Sequence, residues 1–198
     1  MTPMVVTPVT LTGRTVRLEP LSLDHVPDLT VAGQDESIWR YMPYPNMRTE
    51  ADMHAWIADL LERQARGGDV PFAVYHLADQ RAIGATRYMD IQPAHHGLEI
   101  GGTWYGLPYQ RTAANTESKY LLLRHAFEVL GCIRVQLKTD LRNERSQAAI
   151  ARIGAVREGV LRENIIMPDG YHRSSVYFSL LAAEWPAVKA KLEARLAA

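Results

Sequence analysis

Residues 98–131 have the sequence LEIGGTWYGLPYQRTAANTESKYLLLRHAFEVLG, and this stretch decides the fold. Its first eight residues predict a strand that contains Gly101-Gly102. A glycine pair inside a strand indicates a bulge or the close approach of another backbone or a ligand. A loop follows at Gln110–Asn115, and an apolar stripe then predicts a helix from about Thr112 to Leu130, with Gly131 just beyond its end.

The loop at Gln110–Asn115 leads into the N-terminus of this helix. Free N–H groups and a partial positive charge make such a terminus a site for anions. Ala113 and Ala114 are small enough to let a phosphate approach those amides, and Arg111 would add a charge-assisted hydrogen bond. The alternative is an ordinary strand-to-helix turn with an exposed arginine.

The segments on both sides supply further strands and helices. The alternation at residues 133–138 is the clearest strand signal, and a short helix from Asn143 ends at Gly154. Asp169-Gly170 predicts a hairpin, and Thr49 with Asp52 resembles a capping box that begins an earlier helix. The order of elements predicts an α/β fold: a mixed sheet of about seven strands with helices on both faces.

Composition indicates one globular domain without a surface for polyanions. The chain has 198 residues, and 22 Lys and Arg balance 22 Asp and Glu, which argues against a nucleic-acid partner. No segment has the roughly 18–20 apolar residues that span a bilayer. Residues 1–10 resemble a flexible leader without a signal-peptide pattern, so we expect residues 11–198 to form a single domain in the cytoplasm.

Two other kinds of site receive little support. Cys132 is the only cysteine, so it forms no internal disulfide, and its apolar neighbours favour a structural thiol in a reducing compartment. His95-His96 lies near Asp90 and Glu99, but adjacent side chains on a strand point to opposite faces and do not readily chelate one metal ion. Motifs of dinucleotide-binding folds, P-loops and serine hydrolases are absent.

Several segments together resemble the GNAT superfamily of acetyltransferases. Residues 98–131 are similar to its strand–loop–helix, in which the acyl-CoA loop has the pattern [QR]-x-x-G-x-[GA]. The sequence TDLRNERSQAAIARIGAVREG at 139–159 resembles the second cofactor segment. LTGRTVRLEPLSLDH at 11–25 and RTEADMHAWI at 48–57 resemble the RimJ/RimL-like branch, whose members acetylate ribosomal proteins.

The resemblance implies a GNAT-like fold, acetyl-CoA as cofactor and acetyl transfer to a primary amine, either a protein N-terminus or a small molecule. It also implies the residues that bind the cofactor, which are Trp104, Tyr105, Gln110, Arg111, Thr112, Ala113, Ala114, Asn115, Asn143 and Ser146. Two features depart from the family pattern. Ala113 and Asn115 replace the loop glycines, and Ile150 stands where many members have a tyrosine that protonates the thiolate.

The resemblance also suggests two catalytic residues. Glu99 matches a position that often serves as general base, and its alternative is a polar residue on the solvated face of the strand. Ser146 matches a serine near the cofactor sulfur that can act as the acid, and its alternative is a serine in the first turn of a helix. Asn143 matches the asparagine that opens the second cofactor segment of the family, and its alternative is an ordinary helix N-cap.

The sequence leaves three questions open. The aromatic loop with Trp39, Tyr41 and Tyr44 fits either a wall of the acceptor pocket or a lid over the core. A catalytically weak CoA-binding sensor or interaction module is the alternative function, favoured by the missing glycines and by Ile150. A homodimer is possible, because nothing in the sequence decides the oligomeric state.

Overall fold

The structure is a computed structural model that describes residues 3–197, in which eight strands and five α-helices occur. The strands are β1 Leu11–Thr12, β2 Val16–Pro20, β3 Val70–His76, β4 Arg81–Gln92, β5 Gly97–Tyr105, β6 Arg134–Asp140, β7 Val156–Ile166 and β8 His172–Leu181. The helices are α1 Val26–Ala32, α2 Glu50–Ala65, α3 Ala113–Arg124, α4 Glu144–Ile153 and α5 Trp185–Ala197.

All eight strands form one mixed sheet in the order β1-β2-β3-β4-β5-β6-β8-β7. Strands β5 and β6 are parallel, whereas every other neighbouring pair is antiparallel. The prediction of a mixed α/β sheet is confirmed. The strand beyond the expected seven is the two-residue β1, which is too short to show an alternating pattern.

The two faces of the sheet are covered by separate apolar cores. On one face, α3, α4 and α5 pack over Phe72, Leu137 and Phe178. On the other face, α1 and α2 pack over Ala85 and Trp104. This second core covers only the half of the sheet from β2 to β5, so the same face of β6 and β8 is left for polar side chains.

The helix ends follow the signals in the sequence, with one difference. The capping box at Thr49 is formed, and its hydroxyl accepts a hydrogen bond from the Asp52 amide at 3.1 Å. The helix predicted from Thr112 to Leu130 is α-helical only as far as Arg124, and His125–Val129 is a π-helical turn. His125–Val129 contains no glycine or proline to mark the change, so the sequence pattern does not reveal the π-helical turn.

The segment predicted as a flexible leader is tied to the core at Met4. The Met4 amide donates a hydrogen bond to the Pro93 carbonyl at 3.1 Å, and its side chain is buried against Cys132. Burial raises the pKa of the Cys132 thiol to about 11, as expected of a structural thiol. Residues 1 and 2 lie outside the described residues. No helix within 3–197 combines the length and the apolar character needed to cross a bilayer.

Candidate active site

The candidate site lies where β5 and β6 separate. The parallel pairing runs from Gly97 opposite Arg134 to Glu99 opposite Gln136 and then stops. Beyond this point the two strands border a cavity of about 780 Å³, which also reaches the N-terminal turns of α3 and α4. Residues of β5 from Gly101 onward remain paired with β4 but have no partner in β6, and on that side they line the cavity.

The predicted bulge occurs at the glycine pair of β5. Two residues, Gly102 and Thr103, stand opposite the single residue between Ala85 and Arg87, and Gly102 has φ of +58°. A Cβ atom at Gly101 would lie 2.8 Å from the carboxylate of Glu99. Gly102 thus allows the bulge, and Gly101 avoids a clash with the carboxylate of Glu99.

Glu99 lies where β5 and β6 separate and lines the cavity, and only 1% of its surface is exposed. Its Oε2 accepts hydrogen bonds from Gln136 Nε2 at 2.9 Å and from Lys138 Nζ at 3.0 Å. Both bonds go to Oε2, so Oε1 is the oxygen beside Gly101. The alternative of a residue on a solvated strand face is wrong, because this side chain is almost completely removed from water.

The loop before α3 brings five of its six predicted residues to the cavity, and Ala114 is the exception. Gln110, Arg111, Thr112, Ala113 and Asn115 line the cavity, whereas Ala114 is fully buried in the core beneath α3. Thr112 is the N-cap and accepts from the Ala114 amide at 3.2 Å. Trp104 and Tyr105 at the end of β5 also line the cavity.

The altered loop does not need glycine at its two substituted positions. Ala113 and Asn115 lie within the first turn of α3, and neither has the left-handed backbone that would favour glycine. The residue with left-handed backbone is Arg111, at φ of +63°. Its exposed guanidinium borders the cavity next to the helix N-terminus.

Three residues singled out in the sequence lie together at the start of α4. Asn143 is the N-cap, and its side-chain oxygen accepts from the Ser146 amide at 3.0 Å. Asn143, Ser146 and Ile150 all line the cavity. The structural role of Asn143 is therefore present whether or not it also contacts a ligand, and the apolar side chain of Ile150 has no proton to donate.

Lys119 lines the cavity although sequence reasoning did not select it. It is 5% exposed, and its Nζ donates to Thr103 Oγ1 at 2.6 Å, beside the bulge. Burial lowers the pKa of Lys119 from 10.5 to about 7, and the charge of Glu99 opposes this only in part. A lysine on an amphipathic helix is normally read as solvent-exposed, so no sequence signal identified it.

The aromatic loop serves both predicted roles. Trp39 is buried in the core against Trp104, with ring centroids 4.8 Å apart, whereas Tyr41 and Tyr44 line the cavity. Two buried arginines fasten this loop to the sheet. The Nη2 of Arg87 donates to the Tyr44 hydroxyl at 2.7 Å, and the Nη1 of Arg173 donates to the Tyr41 carbonyl at 3.1 Å.

Two further sequence features lie away from the cavity. Glu163 on β7 is exposed and has φ of +45°, while Ile165 two residues later lines the cavity. His95-His96 belongs to the turn before β5. Within residues 3–197, no group of three or more His, Cys, Asp or Glu residues is arranged to hold a metal ion.

Comparisons with known proteins agree in matching this chain to acetyltransferases. The Acetyltransferase (GNAT) domain family matches residues 15–156. A Bacillus subtilis relative named "Putative ribosomal N-acetyltransferase YdaF" is 26% identical over 178 residues, which cover 88% of this chain and 94% of that protein.

Solved structures have the same fold. A GCN5-related N-acetyltransferase from Brucella melitensis is 30% identical, with a TM-score of 0.93 over 99% of this chain and 89% of that one. Mycobacterium smegmatis RimJ, solved in complex with CoA-disulfide, is 20% identical and has a TM-score of 0.82 over 98% of this chain and 97% of that one. At 20% identity the RimJ structure is evidence about the fold alone.

Proposed function

We propose that this chain, because it belongs to the acetyltransferase (GNAT) domain family, transfers an acetyl group from acetyl-CoA to a primary amine. Family membership confirms the resemblance and the enzyme class, and the donor and acceptor are the proposed part. The observation that carries the proposal is Glu99, a buried carboxylate at the point where β5 and β6 separate.

The residues around the cavity fit acetyl-CoA. The capped N-terminus of α3 presents backbone amides, and Arg111 lies beside it, which suits a pyrophosphate. The opening where β5 and β6 separate gives room for a narrow, unbranched chain. When bound, the cofactor would supply an acetyl thioester, the electrophile of the reaction. Trp104, Tyr105 and Asn143 are proposed to complete its contacts, whereas Ala114 would support the loop from the core.

Glu99 is proposed as the general base. An amine attacks a thioester only in its neutral form, yet an alkyl ammonium ion has a pKa near 10. Oε2 is held by Gln136 and Lys138, which fixes the carboxylate while Oε1 faces the space beside Gly101. Removal of the amine proton by Oε1, directly or through water, typically contributes about 10²- to 10⁴-fold to the rate.

The remaining steps need donors of hydrogen bonds and protons. We propose that backbone N–H groups of the bulged Gly101–Tyr105 segment stabilise the oxyanion, because this segment has no pairing partner in β6. Ser146 lines the cavity at the first turn of α4 and is proposed to protonate the departing thiolate. The attack is direct, with donor and amine bound together, since no cysteine lines the cavity within residues 3–197.

The bounds of the domain, its cellular compartment and its acceptor are also proposals. We treat residues 11–198 as one catalytic domain and the cytoplasm as its compartment, because the buried, unpaired Cys132 suits a reducing environment. The acceptor is a protein N-terminus or a small-molecule amine. The name of the YdaF relative makes ribosomal proteins the first acceptors to examine.

Ile150 favours the alternative of a CoA-binding module, since it removes one possible proton donor. Two measurements separate the possibilities. Acetyl-CoA at about 100 times its Kd should stabilise the protein by about 2.7 kcal/mol, which raises Tm by roughly 5–10 °C for a chain of this size. Release of free CoA thiol should then require an added amine.

Each outcome has a clear meaning. A Tm shift together with amine-dependent thiol release supports the transferase. A Tm shift without thiol release for any peptide or small amine supports the binding module. No shift at any concentration of acetyl-CoA contradicts both functions.

A further inference from the structure

One face of the sheet contributes the charged side chains of Glu99, Lys138 and Arg173 to the cavity, and we call this part of the cavity the acceptor side. Glu99 lies opposite Gln136 on β6, and Lys138 lies opposite Tyr177 on β8, so these positions share a face. Arg173 is four residues before Tyr177 and therefore belongs to the same face. This polar face lies beyond the α1–α2 core and beneath the aromatic loop, and it borders the cavity.

Three basic side chains near this face and the aromatic loop each have an acidic partner. Lys138 is 3.0 Å from Glu99, Arg87 is 3.4 Å from Asp69, and Arg142 is 2.9 Å from Asp140.

Arg173 has no carboxylate within 4.0 Å in the part of the chain that the structure describes, although it is only 5% exposed. Its Nε donates to Ser175 Oγ at 3.2 Å, and its Nη1 donates to the Tyr41 carbonyl at 3.1 Å. Both acceptors are neutral. Nη2 donates no hydrogen bond within residues 3–197. Burial lowers the pKa of Arg173, and the more distant charges of Asp140 and Glu99 offset this only in part.

A buried cation at the wall of a substrate cavity is unfavourable unless an anion approaches it. The guanidinium of Arg173 is held in place by Ser175 and the aromatic loop, so its remaining N–H groups are already oriented. A planar guanidinium matches both a carboxylate and a phosphate in geometry, and the carboxylate is the smaller of the two. An amine that also carries a carboxylate would therefore meet opposite charges at both ends of the acceptor side, at Glu99 and at Arg173.

We infer that the acceptor of this enzyme bears a carboxylate close to its amine, and that Arg173 binds that carboxylate while Glu99 accepts the amine proton. This inference rests on the proposed function and narrows its substrate class. The carboxylate has two possible sources, the α-carboxylate of a free amino acid or an acidic side chain near a protein N-terminus. Both present the same group to Arg173.

The test compares acceptors that differ only by carboxylate and amide. One pair is a C-terminally amidated peptide beginning Ser-Asp and its Ser-Asn counterpart, and the other pair is serine and serinamide. For the wild type, we expect kcat/KM for the carboxylate member of one pair to exceed that for its amide by about tenfold to a hundredfold. The pair that shows the preference identifies the source.

The variant Arg173→Gln should bring that ratio close to one, and Arg173→Lys should retain part of it. Because the ratio is taken within each variant, a loss of folded protein or a shift of the aromatic loop does not imitate the effect. Equal kcat/KM values for both members of both pairs in the wild type would overturn this inference alone. An unchanged ratio in Arg173→Gln would also overturn it. A lack of acetylation of any amine would overturn the proposed function, and this inference with it.

Discussion

Replacing Lys119 with methionine should change how the stability of the protein depends on pH. Lys119 lies on α3 with 5% of its surface exposed, and its amine donates to Thr103 beside the cavity. Burial lowers its pKa from 10.5 to about 7 in the folded protein. Methionine has a similar length and no charge, so the variant removes the titrating group with little change in volume.

The direction in which the free energy of unfolding changes with pH follows from proton binding by Lys119. Between pH 7 and 10.5 the unfolded chain holds a proton on Lys119 that the folded chain has lost, so the free energy of unfolding rises with pH. The slope from this group is about 1.4 kcal/mol per pH unit. From about pH 8 to about pH 9.5, the wild type should therefore gain about 2 kcal/mol relative to Lys119→Met.

Urea unfolding of both proteins at the two pH values measures this difference, and other titrating groups cancel in the comparison. Lys191→Met is a matched control, because Lys191 is exposed on α5 and remains solvated after folding. Between the two pH values, its free energy of unfolding should change by the same amount as that of the wild type. If the free energy of unfolding of Lys119→Met also changes by the same amount as that of the wild type, the amine of Lys119 is not desolvated in the folded protein. The reasoning from burial is then refuted.

Three further substitutions test other parts of the structure. The Glu117 carboxylate accepts hydrogen bonds from the backbone amides of residues 14–16 at 2.7–2.8 Å, so Glu117→Gln should lower the free energy of unfolding by about 1–3 kcal/mol in urea titrations. Gly154 has φ of +111°, and an added Cβ would lie 3.0 Å from Val188, so Gly154→Ala should cost about 1–3 kcal/mol by the same assay. Arg111→Ala should raise the Kd of acetyl-CoA about tenfold in calorimetric titrations without changing Tm of the free protein, and an unchanged Kd would remove Arg111 from the site.

The sequence predicted the parts of the site that depend on local structure. Gly101-Gly102 indicated the bulge, because a glycine inside a strand usually marks a bulge or a close backbone approach, and Asn143 indicated the start of α4. Glu99 was selected through the family resemblance. Its burial depends on the separation of β5 and β6, which are consecutive parallel strands joined through α3, so only the folded sheet reveals it.

The basic residues of the cavity could not be predicted in the same way. Arg87, Lys119 and Arg173 occupy alternating or helical positions where a charged side chain normally faces water. They are buried because the aromatic loop covers the polar face of the sheet and because Lys119 reaches Thr103 at the bulge. Met4 was missed for a related reason, since its contact with Cys132 spans 128 residues of sequence and no periodic pattern precedes it.

The measurement that tests the central claim most directly is the comparison of turnover and cofactor affinity in Glu99→Gln. Glutamine preserves the shape of the side chain and can still accept from Gln136 and Lys138, but it cannot take a proton from the amine. Amine-dependent thiol release should fall by about 10²- to 10⁴-fold, while the Kd of acetyl-CoA stays within about twofold. Glu163→Gln, which alters an exposed carboxylate away from the cavity, should keep wild-type turnover. Wild-type turnover in Glu99→Gln would contradict the assignment of Glu99 as the base.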